Sequence, residues 1–420
     1  MKLNRFGMQE LVDNVSFFTI RPPEKAGYRL IIYAKDLDQP TKEGVYGGVC
    51  EYEVVCVDHP EHSQSFPPCV HTSWGPGDSI TKYNLVPLQK GAIFSTVQGL
   101  AEVRFQMPKE LRFTAKLKSN ERDEKALAGY VMNRIVGDVV VFTINAPARG
   151  EYGLEIYAND PDIDGNSLYH AYQYLIICDE PVGSVEPLPA MPPGFLGPQP
   201  AFSRLGIIAA SHVDPYVQSD VGEVQIAISM SQQLLRVTSQ LVYASDGRNE
   251  DASEFILQQC RGSMIIFNLK LTRTGLYKFQ VYALPFHDTS ENLPAVYNYL
   301  INCTETRATL VPYPRQYGQW KEGCYLYEPL DGHLLPSYTS KSVTGSSFPL
   351  VYFRLDVPKA NAVAVIIGEE WTQLEQRSSS GSWEGEINLE VHWGRESKVA
   401  VCANFTSTKS SYSTLLEYAI

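Results

Sequence analysis

Residues 150–158 read GEYGLEIYA, and how that stretch is read decides the fold. Tyr152, Leu154 and Ile156 alternate with Gly153, Glu155 and Tyr157, the period of two of a strand with one buried face. The same nine positions recur as AGYRLIIYA at 26–34 and GLYKFQVYA at 275–283. The matching tyrosines, Tyr28, Tyr152 and Tyr277, are spaced by 124 and 125 residues, and Phe18, Phe142 and Phe267 each lie ten residues upstream. A second echo follows downstream: CEYEVVC ends at Cys56, YQYLIIC at Cys178 and YNYLINC at Cys303. A register held through four positions marks an internal repeat.

A fourth copy is fainter. Ile387, Val399, Val401 and Ala403 fall on the repeat's Phe, Leu/Phe, Ile/Val and Ala positions, Ser397 replaces the tyrosine, and Thr414–Leu416 takes the closing run. VRFQMPKELRF at 103–113 and FRLDVPKANAV at 353–363 tie the fourth copy to the second. The unit repeats whole three times and once in divergent form.

A chain of 420 residues accommodates about two to four domains. The formal charge of −12, from 35 Lys and Arg against 47 Asp and Glu, argues against a nucleic-acid backbone or an anionic membrane as main partner. No run reaches the ~18 apolar residues of a membrane span, and the first residues, MKLNRFGMQELVDNVSFF, have no apolar core of a signal peptide. Eight scattered cysteines predict a reducing compartment, the cytoplasm. Three N-x-[ST] sequons, at Asn14, Asn302 and Asn404, are read as accidental.

Further alternating runs precede the repeated stretch at Ala101–Met107, Leu111–Leu117, Val224–Ile228 and Leu235–Leu241. VVVFTI at 139–144 and VSFFTI at 15–20 are separated from the tyrosine strands by Pro- or Gly-rich turns, which predicts an antiparallel hairpin. Short, regularly spaced strands with almost no helical periodicity predict an all-β chain of tandem immunoglobulin-like β-sandwiches without the usual inter-sheet Cys pair, the first unit truncated. The strand from Tyr152 takes the place of strand F, the strand ending at Cys178 that of strand G, and Tyr152 sits where a tyrosine corner belongs. The expected units are 1–58, 75–180, 196–304 and 318–420. Pro-rich connectors at 59–78 and 181–200, and a third at 304–321, read as semi-rigid spacers, which predicts an elongated array.

Candidate sites are sparse. His59, His62, Cys69 and His71 carry zinc-ligand chemistry within thirteen residues, but the spacing fits no zinc pattern and a polar connector explains it as well. Asp160, Asp162, Asp164 and Gly165 open like a calcium loop, yet Ala171 stands where a bidentate Glu belongs, so a solvated acidic loop is the favoured reading. Cys56, Cys178 and Cys303 end apolar strands, where thiols behave as small buried groups. His170 has no counterpart in the other copies, which carry Val49 and Ala295. No catalytic residue, cofactor site or metal site is therefore assigned. Outward-facing Tyr33, Tyr157 and Tyr282 are either partner anchors or packed against a neighbouring unit or loop.

G-x-Y-x-h-x-h-Y-A followed by Y-x-Y-h-h-x-C, with h apolar, resembles the repeats of the kyphoscoliosis peptidase and hillarin family. The resemblance is clear over residues 1–304 and weaker over 305–420. In that family a transglutaminase-like core with a Cys–His–Asp triad is followed by tandem immunoglobulin-like units. No such core lies in this chain, so no triad residue carries over. The resemblance implies association with cytoskeletal structures. The expected function is a non-catalytic intracellular protein-interaction array, with an accessory fragment of a transglutaminase-like peptidase, its core upstream, as the alternative. A weaker third reading is an extracellular adhesion array.

Overall fold

The structure is a computed structural model that describes residues 3–12, 14–35, 46–58, 63–71, 73–181, 186–189, 195–231, 235–245, 247–307, 310–334, 350–395, 398–406 and 411–420. Residues 1–133 and 138–188 form one compact unit, and residues 134–137 and 189–420 a second.

The first unit contains β1 (Gly7–Val12), β2 (Val15–Ile20), β3 (Gly27–Ala34), β4 (Gly47–Val55), β5 (Ser73–Pro76), β6 (Val86–Pro87), β7 (Ile93–Ser95), β8 (Leu100–Gln106), β9 (Arg112–Lys118), the first half of β10 (Val131–Val136), β11 (Val139–Asn145), β12 (Gly150–Asn159) and β13 (Tyr169–Cys178). The second copy of the repeat is a sandwich of two sheets, β10-β11-β8-β6 and β13-β12-β9, with β7 running parallel on β13. That is the immunoglobulin arrangement. Val103, Phe105, Phe142 and Ile144 from one sheet and Leu154, Ile156, Tyr174 and Ile176 from the other are fully buried. Burial of each such side chain is worth about 1.5–3 kcal/mol, so alternation along β12 is a direct record of the core.

The hairpin predicted between 139–144 and 152–157 does not form. β11 pairs with β8, whereas β12 pairs with β13 and β9, so the two strands lie in opposite sheets. Each has one apolar face, and facing one another across the core buries both faces, which lying side by side would not require. NAPARG is the crossing between sheets, and Tyr152 ties it down: Oη donates to the Ala148 carbonyl at 2.8 Å. Tyr277 Oη donates to the Arg273 carbonyl at 3.1 Å and accepts the Arg273 N–H at 2.9 Å. Tyr28 Oη donates to the Glu24 carbonyl at 2.7 Å. The tyrosine corner is thus present in three copies.

The far end of the nine-residue stretch has its own cause. The pairing with the closing strand slips at Ile32/Tyr33, Ile156/Tyr157, Val281/Tyr282 and, in the fourth copy, Val401/Cys402. A β-bulge at one position in all four copies re-aims the side chain beyond it and sharpens the local twist.

The second unit contains β14 (Gly197–Pro198), β15 (Ile207–Ala210), β16 (Tyr216–Ser219), β17 (Glu223–Met230), β18 (Leu235–Tyr243), β19 (Glu250–Asp251), β20 (Ile256–Arg261), β21 (Met264–Lys270), β22 (Gly275–Pro285) and β23 (Ala295–Cys303), which form the third copy. Its sheets are β15-β17-β21-β20 and β14-β23-β22-β18-β19, with β16 parallel on β23. The fourth copy comprises β24 (Arg315–Gln316), β25 (Tyr325–Glu328), β26 (Leu350–Asp356), β27 (Ala362–Ile367), β28 (Glu370–Gln373), β29 (Glu375–Gln376), β30 (Trp383–Asn388), β31 (Lys398–Asn404) and β32 (Ser413–Ala419), in sheets β25-β26-β30-β29 and β24-β32-β31-β27-β28. Copies three and four are joined along β20. Leu257 belongs to the core of the fourth copy. Gln316 brackets β20, Oε1 accepting the Gln258 N–H at 2.8 Å and Nε2 donating to the Ile256 carbonyl at 2.7 Å. The indole of fully buried Trp320 donates to the Gln258 carbonyl at 2.8 Å.

The first copy is arranged differently. β1 and β2 pair with each other, and β1 runs parallel to β5, which in turn pairs with β13, so this hairpin extends a sheet of the second copy. β3 and β4 form a separate two-stranded ribbon.

Candidate interaction surfaces

The connectors are not free spacers over their described residues. Phe66, Trp74, Phe195 and Leu196 are buried, because they carry apolar area that a spacer would leave in water. The segment before the second copy lies on the outer face of β12 and β13. Glu155 accepts the Val70 N–H, Gln173 Nε2 donates to the His71 carbonyl at 3.0 Å, and a cation from Lys118 stands 3.5 Å from Glu155 Oε2. Glu155 is fully buried yet charge-paired, the condition under which a buried carboxylate is tolerated. The third copy repeats the device with neutral groups: Gln280 Nε2 donates to Asn298 Oδ1 at 3.1 Å, and Asn298 Nδ2 donates to the Phe195 carbonyl at 3.2 Å. Polar side chains facing outward from these strands therefore hold the chain's own connector.

Cys69 and His71 lie inside this clamp. His71 stacks on His170 with ring centroids 3.8 Å apart, and Tyr157 packs against both rings. Burial, reinforced by Glu155, pushes the Cys69 thiol up to about 12, and burial with His71 alongside lowers His170 to about 4. At neutral pH the first is a protonated thiol and the second an uncharged imidazole, which are packing groups and not an activated nucleophile–base pair. His59 and His62 lie outside the described residues. Among the described residues no group of three or more His, Cys, Asp or Glu is arranged to hold a metal ion.

In the Asp160–Gly165 loop, Asp160 Oδ1 accepts the Asp162 N–H at 3.0 Å and Asp160 pairs with Lys109. Asp164 pairs with Lys82 at 2.6 Å and accepts the Tyr83 hydroxyl at 2.6 Å. Both outer carboxylates are thus engaged by cations of the chain itself. Cys178 and Cys303 are buried at strand ends, and Cys56 donates to the Asp58 carbonyl at 3.3 Å. Ser397 of the fourth copy lies outside the described residues.

Of the outward tyrosines, Tyr157 is packed as above, Tyr282 is half-buried and Tyr33 is 57% exposed. Tyr33 belongs to a surface where, among the described residues, repeat positions lose their cover. Tyr174 and Tyr299 are 0% exposed, while Tyr52, at the same repeat position, is 52% exposed. Tyr28, Leu30, Ile32 and Val54 are also only partly buried. Both edges of the β3–β4 ribbon are unpaired among the described residues, whereas β12 is flanked by β9 and β22 by β18. Repeat alignment alone locates this surface in the sequence, but not that it stays open.

Comparison with known proteins agrees with the geometry. The KY-like, immunoglobulin-like domain family matches residues 1–67, 81–189 and 194–314. The Caenorhabditis elegans Lim and transglutaminase domain protein ltd-1 is 31% identical over 42% of this chain and 25% of its own length. Drosophila melanogaster Hillarin is 30% identical over 38% of this chain and 20% of its own length. The Mus musculus Kyphoscoliosis peptidase is 26% identical over 65% of this chain and 38% of its own length. The chain therefore spans between a fifth and two fifths of these relatives. Matched in three stretches that together cover most of the sequence, the chain belongs to the KY-like, immunoglobulin-like domain family.

Proposed function

We propose that this chain is a non-catalytic, intracellular protein-interaction array, a cytoskeleton-associated scaffold built from units at 1–58, 75–180, 196–304 and 318–420. One observation carries the reading: the β3–β4 ribbon leaves partly open to solvent the apolar positions that copies two and three seal inside their cores. Exposed aromatic and β-branched residues beside two open strand edges offer a partner both side-chain anchors and backbone pairing. The cytoskeletal assignment comes from the family resemblance. Co-sedimentation of the purified chain with actin filaments and with microtubules tests it. Binding to one polymer is expected, and the double variant Tyr52→Asp, Val54→Asp is expected to weaken it at least tenfold. Sedimentation with neither polymer removes the cytoskeletal assignment, and binding untouched by the double variant removes the ribbon.

A second reading, the accessory part of a transglutaminase-like peptidase, is favoured by the greater length of the relatives and by the transglutaminase domain that one of them carries in its name. Reading the transcript through its 5′ end tests it: the reading requires upstream coding sequence with a Cys, His and Asp set.

A further inference from the structure

In copies two, three and four the strand that carries the repeat's nine positions has a neighbour on each edge. β12 lies between β13 and β9, β22 between β23 and β18, and β31 between β32 and β27. The second neighbour arrives at one register each time. Phe113, Ala115 and Leu117 of β9 stand opposite Ala158, Ile156 and Leu154. Val237, Ser239 and Leu241 of β18 stand opposite Ala283, Val281 and Phe279. Val363 and Val365 of β27 stand opposite Ala403 and Val401. Phe113, Leu117, Val237, Leu241, Val363 and Val365 are all buried.

In the first copy the same repeat positions are Leu30, Ile32 and Ala34 of β3, and among the described residues this edge of β3 has no neighbour. Leu30 and Ile32 are only partly buried, and Ala34 is exposed. The edge is nonetheless held in strand geometry, because β3 pairs with β4 from Gly27 to Ala34 and slips at the same place as its counterparts. An unpaired edge of this kind presents a row of amide and carbonyl groups, a template for a further strand. The three filled edges state the chemistry of what fits it: an extended segment, antiparallel to β3, with a bulky apolar residue, then a small or β-branched residue two places on, followed in β9 and β18 by Leu after two more. Arg29 narrows the choice. Its counterparts are Gly153, which faces Lys118, and Lys278, which faces Val242. Like charges directly opposite one another destabilise a sheet, so the segment follows β18 and carries no cation at that place.

We propose that β3 takes up such a segment of a partner polypeptide as an added strand, the backbone supplying affinity and the alternate apolar residues specificity. This rests on the ribbon being the interaction surface, and it names what binds there and on which edge.

The probe is the acetylated and amidated peptide LRVTSQLVY, the sequence of β18. Its counterpart carries Ser239→Pro and Gln240→Pro, which removes a donor from each side of the strand. Hydrogen exchange on the whole, unmutated chain reads the edge. The β3 amides that point away from β4 are expected to slow about tenfold at saturating peptide, with the outer edge of β4 unchanged, and the proline counterpart is expected to bind at least tenfold more weakly. The proposal is overturned by no saturable binding, by equal binding of the proline counterpart, or by protection on the edge of β4 instead. It is also overturned if those β3 amides are already slow without peptide in a chain that ultracentrifugation finds dimeric, since the occupant is then a second copy. Peptide failure alongside filament binding that Tyr52→Asp, Val54→Asp still weakens strikes the added strand alone and leaves the ribbon as the interaction surface.

Discussion

Tyr52 and Tyr174 occupy one position of one repeat, and one is half in water while the other is sealed. Their local sequences, CEYEVVC and YQYLIIC, both write an alternating strand. Both strands form, with the same bulge against the same tyrosine-led partner. The difference lies in what covers the inner face. β12 and β13 look across at β8 and β11, whereas among the described residues β3 and β4 pair only with each other. Strand alternation therefore specifies which face wants burial, and the opposite sheet decides whether that face is buried.

The largest test of this contrast is truncation at the shared position. Tyr174→Ala empties a sealed site and is expected to cost about 3–5 kcal/mol, while Tyr52→Ala is expected to stay within about 1 kcal/mol. Thermal unfolding of both variants reads the difference, and equal losses would mean that the ribbon of the first copy is covered in solution.

The outer faces differ too, and pH separates them. His170 in the second copy is lowered from 6.5 to about 4 by burial, with His71 adding to it, so the fold prefers the neutral ring. A depressed folded-state pKa means stability that is complete above about pH 6.5 and lost as pH falls toward 4, by up to about 3 kcal/mol. Hydrogen exchange of the connector amides near His71 is expected to quicken across that window, and His170→Asn is expected to flatten the dependence. The first and third copies, where the strand register puts Gly48 (not Val49) and Ala295 at this place, are expected to show no such window.

The corners give the smallest contrast. Tyr152→Phe removes a hydrogen bond from a buried ring and is expected to cost about 1 kcal/mol. Tyr28→Phe removes the same bond where water competes and is expected to cost a few tenths. Denaturant midpoints of the two variants check the order, and a larger loss at Tyr28 would reverse the assignment of closed and open copies.

Much of the fold was legible because repeats average out local ambiguity. Alternation named the inner-face residues of β12 and β22, and the tyrosine corner was readable from Tyr152 alone, since a hydroxyl reaching back four residues is a local event. The pairing of β11 was misread for the opposite reason. Two short strands joined by a Pro- and Gly-rich turn look alike whether they lie side by side or cross a core, and only the apolar faces meeting them decide. The outward roles of Glu155, Gln173, Gln280 and Asn298 were illegible, because their partners are backbone groups of connectors with no pattern of their own.

The sequence by itself determined the repeat, the all-β class, the faces that seek burial and the corner that turns each chain from one sheet to the other. These follow from period, composition and contacts within a few residues. Only the tertiary structure decided which faces find cover, where the connectors lie and which polar groups end up without a partner. Those outcomes depend on segments distant in the chain, and the free energy of burying a surface belongs to the pair that meets, not to either strand alone.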